Sequence, residues 1–113
     1  MYGIAVGKTG GTDILVGLTG EFDISALEEL RGALDAAAYL RGPAVVDLSG
    51  ITFLDLLCAR ELAVRSQIHA HKIRLRSPSR PVLDSARACG LEDWLLLAPG
   101  TGDREPPVIS GAL

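Results

Sequence analysis

The side chains of this chain that could do chemistry are few: Cys58 and Cys89, His69 and His71, the carboxylates Asp23, Asp47 and Asp55, and a Gly7-Lys8-Thr9 tripeptide. The tripeptide has the ending of a phosphate-cradling loop, in which glycine backbone N–H groups hold phosphate while Lys and Thr serve phosphate and magnesium. Tyr2 stands where that loop needs its first glycine, and Gly10-Gly11 follow where a helix should begin, so a hairpin turn is expected instead. His69 and His71 could hold a metal only with a converging third ligand, and none is apparent; both are expected at the surface. No Gly-x-Ser-x-Gly elbow occurs. Asp23, Asp47 and Asp55 fall near strand ends or helix starts, where capping explains an Asp as well as acid–base work does. These residues form no catalytic constellation, so the expectation is a protein that is not an enzyme and carries no cofactor or metal.

The cysteines match neither a disulfide framework nor a Cys-x-x-Cys zinc spacing and are expected to be reduced. Cys58 falls in the first turn of a helix that Asp55 would cap, where free amides and the helix dipole favour a thiolate. It is therefore a candidate redox thiol, set against the alternative of a small buried hydrophobe. Cys89, beside Gly90, is expected in the core.

The elements that position these residues can be read from periodicity. Ile4-Ala5-Val6 and Ile14-Leu15-Val16-Gly17-Leu18 predict an antiparallel hairpin. Ser25-Ala26-Leu27-Glu28 predicts a capping box, with Leu27, Leu30, Leu34 and Ala37 or Ala38 as the apolar stripe of a helix running to about Leu40. Ala44 to Leu48 reads as a strand covered on both faces, and Ser49 to Leu54 as a connection. A helix follows from about Leu56 to Ala70, with Leu57, Val64 and Ile68 on its core face. Lys72 to Arg76 alternates strictly, with Ile73 and Leu75 inward. A third helix spans roughly Pro81 to Cys89 after a Ser79 cap, and Trp94-Leu95-Leu96-Leu97 reads as a last strand. The expected order is β-β-α-β-α-β-α-β: an α/β fold with a mixed sheet of about five strands, one domain over residues 1–98, and a Gly- and Pro-rich tail over 99–113.

Composition narrows the partners. With 113 residues there is room for one domain, and aromatic residues at 4% provide no base-stacking platform. A net charge of −3 removes general attraction to phosphate backbones, so no nucleic acid is expected. Apolar runs are too short to insert in a membrane, and a cytoplasmic location is expected. Residues 60–80 form a basic island, with six Lys or Arg against one Glu, read as a solvated surface or, alternatively, a docking patch.

At Gly20-Glu21-Phe22-Asp23, at Val45-Val46-Asp47-Leu48-Ser49-Gly50-Ile51-Thr52-Phe53-Leu54-Asp55 and at Cys89-Gly90-Leu91, the chain resembles a STAS domain, the fold of bacterial anti-sigma factor antagonists. The resemblance runs from about Thr12 to Leu97. It implies a binding module rather than a catalyst. In phosphorylatable members, the unmodified antagonist captures an anti-sigma factor that doubles as a serine kinase, and phosphorylation of a Ser or Thr in an Asp-Ser-Ser/Thr-Gly pattern releases it. Here that stretch reads Asp55-Leu56-Leu57-Cys58, so the acceptor position is Leu57, which has no hydroxyl, and the loop after Asp23 is one residue shorter than usual before Ser25. The expected partner is an anti-sigma factor or serine-kinase-type regulator, docked through Asp23, Ser25, Asp55, Leu56, Cys58 and Arg60. Leu57 is expected to turn into the core, and a homodimer is left open. The alternative is a STAS module that senses a small ligand beside Leu56 and Cys58, senses redox state, or serves a larger signalling or transport assembly.

Overall fold

The computed structural model describes residues 1–8, 13–40 and 42–91. Its elements are β1 (Tyr2–Lys8), β2 (Ile14–Phe22), a single 3-10 turn (Ile24–Ala26), α1 (Leu27–Tyr39), β3 (Ala44–Leu54), α2 (Leu56–Ile68), β4 (Ile73–Arg76) and α3 (Arg80–Cys89). The sheet order is β1-β2-β3-β4, with β1 antiparallel to β2 and the other pairs parallel. This is the mixed α/β architecture expected. Trp94-Leu95-Leu96-Leu97 and the tail from residue 99 lie outside the described residues.

Two right-handed crossovers that step the same way along a sheet leave their helices on the same face. Accordingly Ile14, Val16, Leu18, Ala44, Val46, Leu48, Ile73 and Leu75 are buried in one cluster with Leu30, Leu34, Leu62, Val82 and Ala86 of the helices. The expectation that β3 is covered on both faces is corrected: Val45 and Asp47 point to the other face and are only partly buried. Their apolar run reflects a one-sided strand with one extra hydrophobe.

β3 also runs through Ser49 to Leu54, which the sequence presents as a connection. Its buried residues go from a spacing of two (Ala44, Val46, Leu48) to three (Ile51, Leu54). The cause is two register shifts against β2, between Gly17 and Thr19 and between Gly20 and Glu21, each inserting an extra residue in β3. Asp47 Oδ1 accepts from the Ser49 N–H at 2.9 Å inside the first of these bulges. Gly50 is required there, because a Cβ would lie 2.8 Å from Thr19 Cγ2 and 3.0 Å from the Leu18 carbonyl. Beyond Asp47, β4 no longer pairs with β3, and α3 takes its place: Ser79 Oγ donates to the Ile51 carbonyl at 2.7 Å and Ser85 Oγ to that of Leu54. Ser79 sits at the N-cap of α3 as expected but uses its hydroxyl on β3, not on its own helix.

Half of the basic island, Arg65, Arg76 and Arg80, is taken up in separate pairings. Glu61 of α2 receives both Arg31 of α1 and Arg65, Arg65 also reaches Asp35 at 3.3 Å, and His69 Nε2 lies 3.2 Å from the same carboxylate. These contacts tie α1 to α2. Arg76 pairs with Asp47 across β3 and β4 at 3.7 Å, and Arg80 with Asp84.

Candidate functional site

Parallel strands bring their carboxyl ends to one edge, and segments leaving those ends meet there. Phe22 and Leu54 are partners in the β2–β3 register, so Asp23 and Asp55, the next residue in each strand, emerge side by side. The Asp55 N–H donates to the Phe22 carbonyl at 2.8 Å, which fixes their spacing. Each carboxylate caps the helical segment behind it. Asp23 Oδ1 accepts from the Ser25 N–H at 3.0 Å and from the Ser25 hydroxyl, and Asp55 Oδ2 accepts from the Leu57 N–H at 2.8 Å. The Ser25 hydroxyl and N–H hold the Asp23 carboxyl below the usual carboxylate range. Ser25 is therefore not the cap of α1: Asp23 caps a 3-10 turn that precedes the helix, and Ala26 at the start of α1 makes no side-chain cap bond.

Cys58 follows directly, and it is buried, with 0% exposure. Its thiol donates to the Asp23 carbonyl at 3.2 Å, linking α2 to the 3-10 turn. Burial, with Asp55, Asp23 and Glu61 nearby, pushes the thiol up to about 11. Of the two readings of Cys58, the structure has the small buried hydrophobe. As a candidate redox thiol and direct partner contact it is corrected, because the side chain is enclosed and burial and three carboxylates disfavour the thiolate. Cys89 is half-buried rather than core, its thiol 3.6 Å from the Leu56 carbonyl.

Leu57 is likewise corrected. The core face of α2 is Cys58, Ala59, Leu62 and Ala63, not the Leu57, Val64 and Ile68 line. Both lines have helical spacing. The buried one is mostly small, with Leu62 its one large residue, which allows α2 to lie close against α1 and α3. The larger residues are turned outward: Leu56 is 49% exposed, Leu57 47% and Ile68 56%. Leu56, Leu57 and Val64, with Cys89 at the end of α3 and Leu91 beyond it, line a groove of about 490 Å³ that Arg60 also borders. Phe53 at the end of β3 and Ile24 in the 3-10 turn are exposed at the same end of the sheet. Exposed apolar side chains beside charged groups are the chemistry that protein-docking surfaces use.

The sequence therefore identified Asp23, Ser25, Asp55, Leu56 and Arg60 at this end of the molecule, and the structure brings them together. It missed Phe53, Val64 and Leu91 as surface residues. The signal for Phe53 lay in the three-residue spacing of Leu48, Ile51 and Leu54, which leaves Thr52 and Phe53 outward. The histidines lie apart from the site: His71, with Asp13, Pro43, Val45, Ala70, Lys72 and Arg74, borders a separate cleft of about 350 Å³.

A family model described as "Mlab, STAS domain" matches residues 5–98. This chain belongs to the STAS family. No curated protein matches it. The match spans the bulged strand β3, both capping carboxylates and the outward Leu56-Leu57 turn, so this end of the STAS domain lies within the matched region. Among the described residues, no helix is long and apolar enough to cross a membrane.

Proposed function

We propose that this STAS domain is a regulatory protein-binding module of the anti-sigma factor antagonist class, which docks a serine-kinase-type anti-sigma partner on the Leu56–Leu57 end and holds it constitutively. The observation that carries the reading is the exposure of Leu57 at the position where the resemblance puts the phosphoacceptor. An outward hydroxyl there could take a phosphate, and the added charge of nearly two would repel a docked partner. Leu57 instead offers apolar area continuous with Leu56 and the α2–α3 groove. Asp23 and Asp55 keep the backbone of both loops rigid, which lowers the ordering cost of docking.

The same hydroxyl-free turn also favours a second reading: a subunit seated permanently in a larger signalling or transport assembly needs no release switch. Affinity capture with the purified chain, with and without ATP, separates the two. The first reading expects retention of a serine-kinase-type protein under both conditions, no phosphate on the bait, and loss of the partner with Leu57→Asp while the circular dichroism spectrum is unchanged. Retention of an assembly subunit instead, again lost with Leu57→Asp, establishes the second. Binding of either that survives Leu57→Asp overturns the placement of the surface.

A further inference from the structure

Among the described residues, the two edges of the sheet differ. β4 is four residues long and carries Arg74 and Arg76, with Lys72 just before it, the short and charged edge that resists strand addition. β1 has none of these guards. It is seven residues long, runs in unbroken register with β2, contains no proline, and has Lys8 at its end as its one charge.

The backbone polarity of β1 follows from its pairing. The Met1 carbonyl accepts from the Glu21 N–H at 2.9 Å. Because N–H and C=O groups alternate sides along an antiparallel strand, Met1, Gly3, Ala5 and Gly7 turn toward β2. Tyr2, Ile4, Val6 and Lys8 therefore aim their N–H and C=O groups away from the sheet. Val6 is 56% exposed although it lies across from the fully buried Val16.

We propose that this STAS domain pairs with a second copy of itself through β1, as an antiparallel seam with its two-fold axis at Ala5. Only outward residues can face outward residues, so the axis falls on Ile4, Ala5 or Val6. Centring on Ala5 pairs Ile4 with the second copy's Val6 and Tyr2 with its Lys8, so all four outward residues find partners. Shifting the axis to Ile4 strands Lys8, and shifting it to Val6 strands Tyr2. On the helix-bearing side, the Ile4–Val6 pairs cover the exposed valine. On the other side, Ala5 meets Ala5 and Gly3 meets Gly7, with no bulk to hold the strands apart. Charge agrees with this register. The Tyr2 hydroxyl donates to the Glu29 carboxylate, so the second copy's Lys8, across from Tyr2, comes to a carboxylate rather than to another cation. A seam of one strand from each copy buries a small area, so the association is weak, with a dissociation constant on the order of micromolar.

Analytical ultracentrifugation of the full chain over a concentration series tests this. The wild type should shift from one chain toward two as concentration rises. Val6→Lys and Val6→Pro should each weaken association by at least about tenfold, since the first charges the seam and the second removes an outward N–H without touching the β2 ladder. Lys8→Glu should weaken it and Lys8→Glu with Glu29→Lys should restore it, a rescue that a general loss of folding cannot produce. A monomer at all concentrations, or a dimer indifferent to these changes, overturns the seam. A dimer lost with Leu57→Asp but not with Val6→Lys places self-association on the docking groove and also overturns it. Partner capture through that groove should survive Val6→Lys, so the two surfaces are tested separately.

Discussion

Thiol reactivity gives the sharpest test of how the first turn of α2 is built. Placement at a helix start alone would make Cys58 the more reactive cysteine. The structure reverses that order. A shift from 9.0 to about 11 cuts the thiolate fraction about a hundredfold near neutral pH. Burial adds a second barrier, because Sγ is enclosed and bonded to the Asp23 carbonyl, so reagent reaches it only when α2 and the 3-10 turn separate. Cys89 is half-buried at the end of α3 beside the groove and needs no such opening. The expected outcome of iodoacetamide labelling at pH 7.5, read by peptide mass spectrometry, is Cys58 modified at least about a hundredfold more slowly in the native protein than in denaturant, and more slowly than Cys89. Faster labelling of Cys58 in the native protein would refute the reasoning and return it to the status of a reactive thiol. The linkage has a definite sign. The folded thiol titrates above the unfolded one, so the stability it lends is complete below about pH 9 and is lost as pH rises toward about 11.

Three other outcomes follow from the geometry. Asp55→Ala removes the acceptor for the Leu57 N–H and should lower stability by about 1 kcal/mol in urea unfolding, with the docking end loosened in hydrogen exchange. Gly20→Ala should cost about 2 kcal/mol, because φ is +89° and a Cβ would lie 2.3 Å from the Met1 carbonyl oxygen; thermal melting reads the loss. Glu61 is 13% exposed, and its carboxyl is held below the usual range by Arg65 and Arg31 against the opposing effect of burial. Its contribution is therefore present above the unfolded carboxylate range and is lost as pH falls through the lower folded value, and Glu61→Gln should flatten that acid limb in a stability-versus-pH series.

Much of the fold was legible because local signals agreed with the global arrangement. Asp55 followed by an apolar segment marks the start of α2 to the residue, and the alternation of Ile73 and Leu75 assigns both faces of β4. Gly90, with φ of +73°, ends α3 where a left-handed residue is needed. The errors arose where one local pattern served two geometries. Ser49-Gly50 carries the composition of a turn, yet pairing with β2 absorbs it as a bulge, and no residue of the segment reveals the partner strand. Ser25 and Glu28 fit a capping box, but Asp23 lies two residues earlier and captures both polar hydrogens of Ser25.

The site divides along the same line. Sequence by itself determined which residues could matter: two carboxylates after two strands, a hydroxyl-free Leu56-Leu57 turn between Asp55 and Cys58, and a chain of STAS type. These depend on residue identity and short-range spacing, which the chain carries wherever it is placed. Only the tertiary structure decided which side of α2 is the surface. Two stripes share its helical period, and the choice rests on close approach: three of the four buried residues, Cys58, Ala59 and Ala63, are small and let the helix settle against α1 and α3, while the line of Leu57, Val64 and Ile68 carries only large side chains. That packing turns Leu57 out to solvent and seals Cys58 inside.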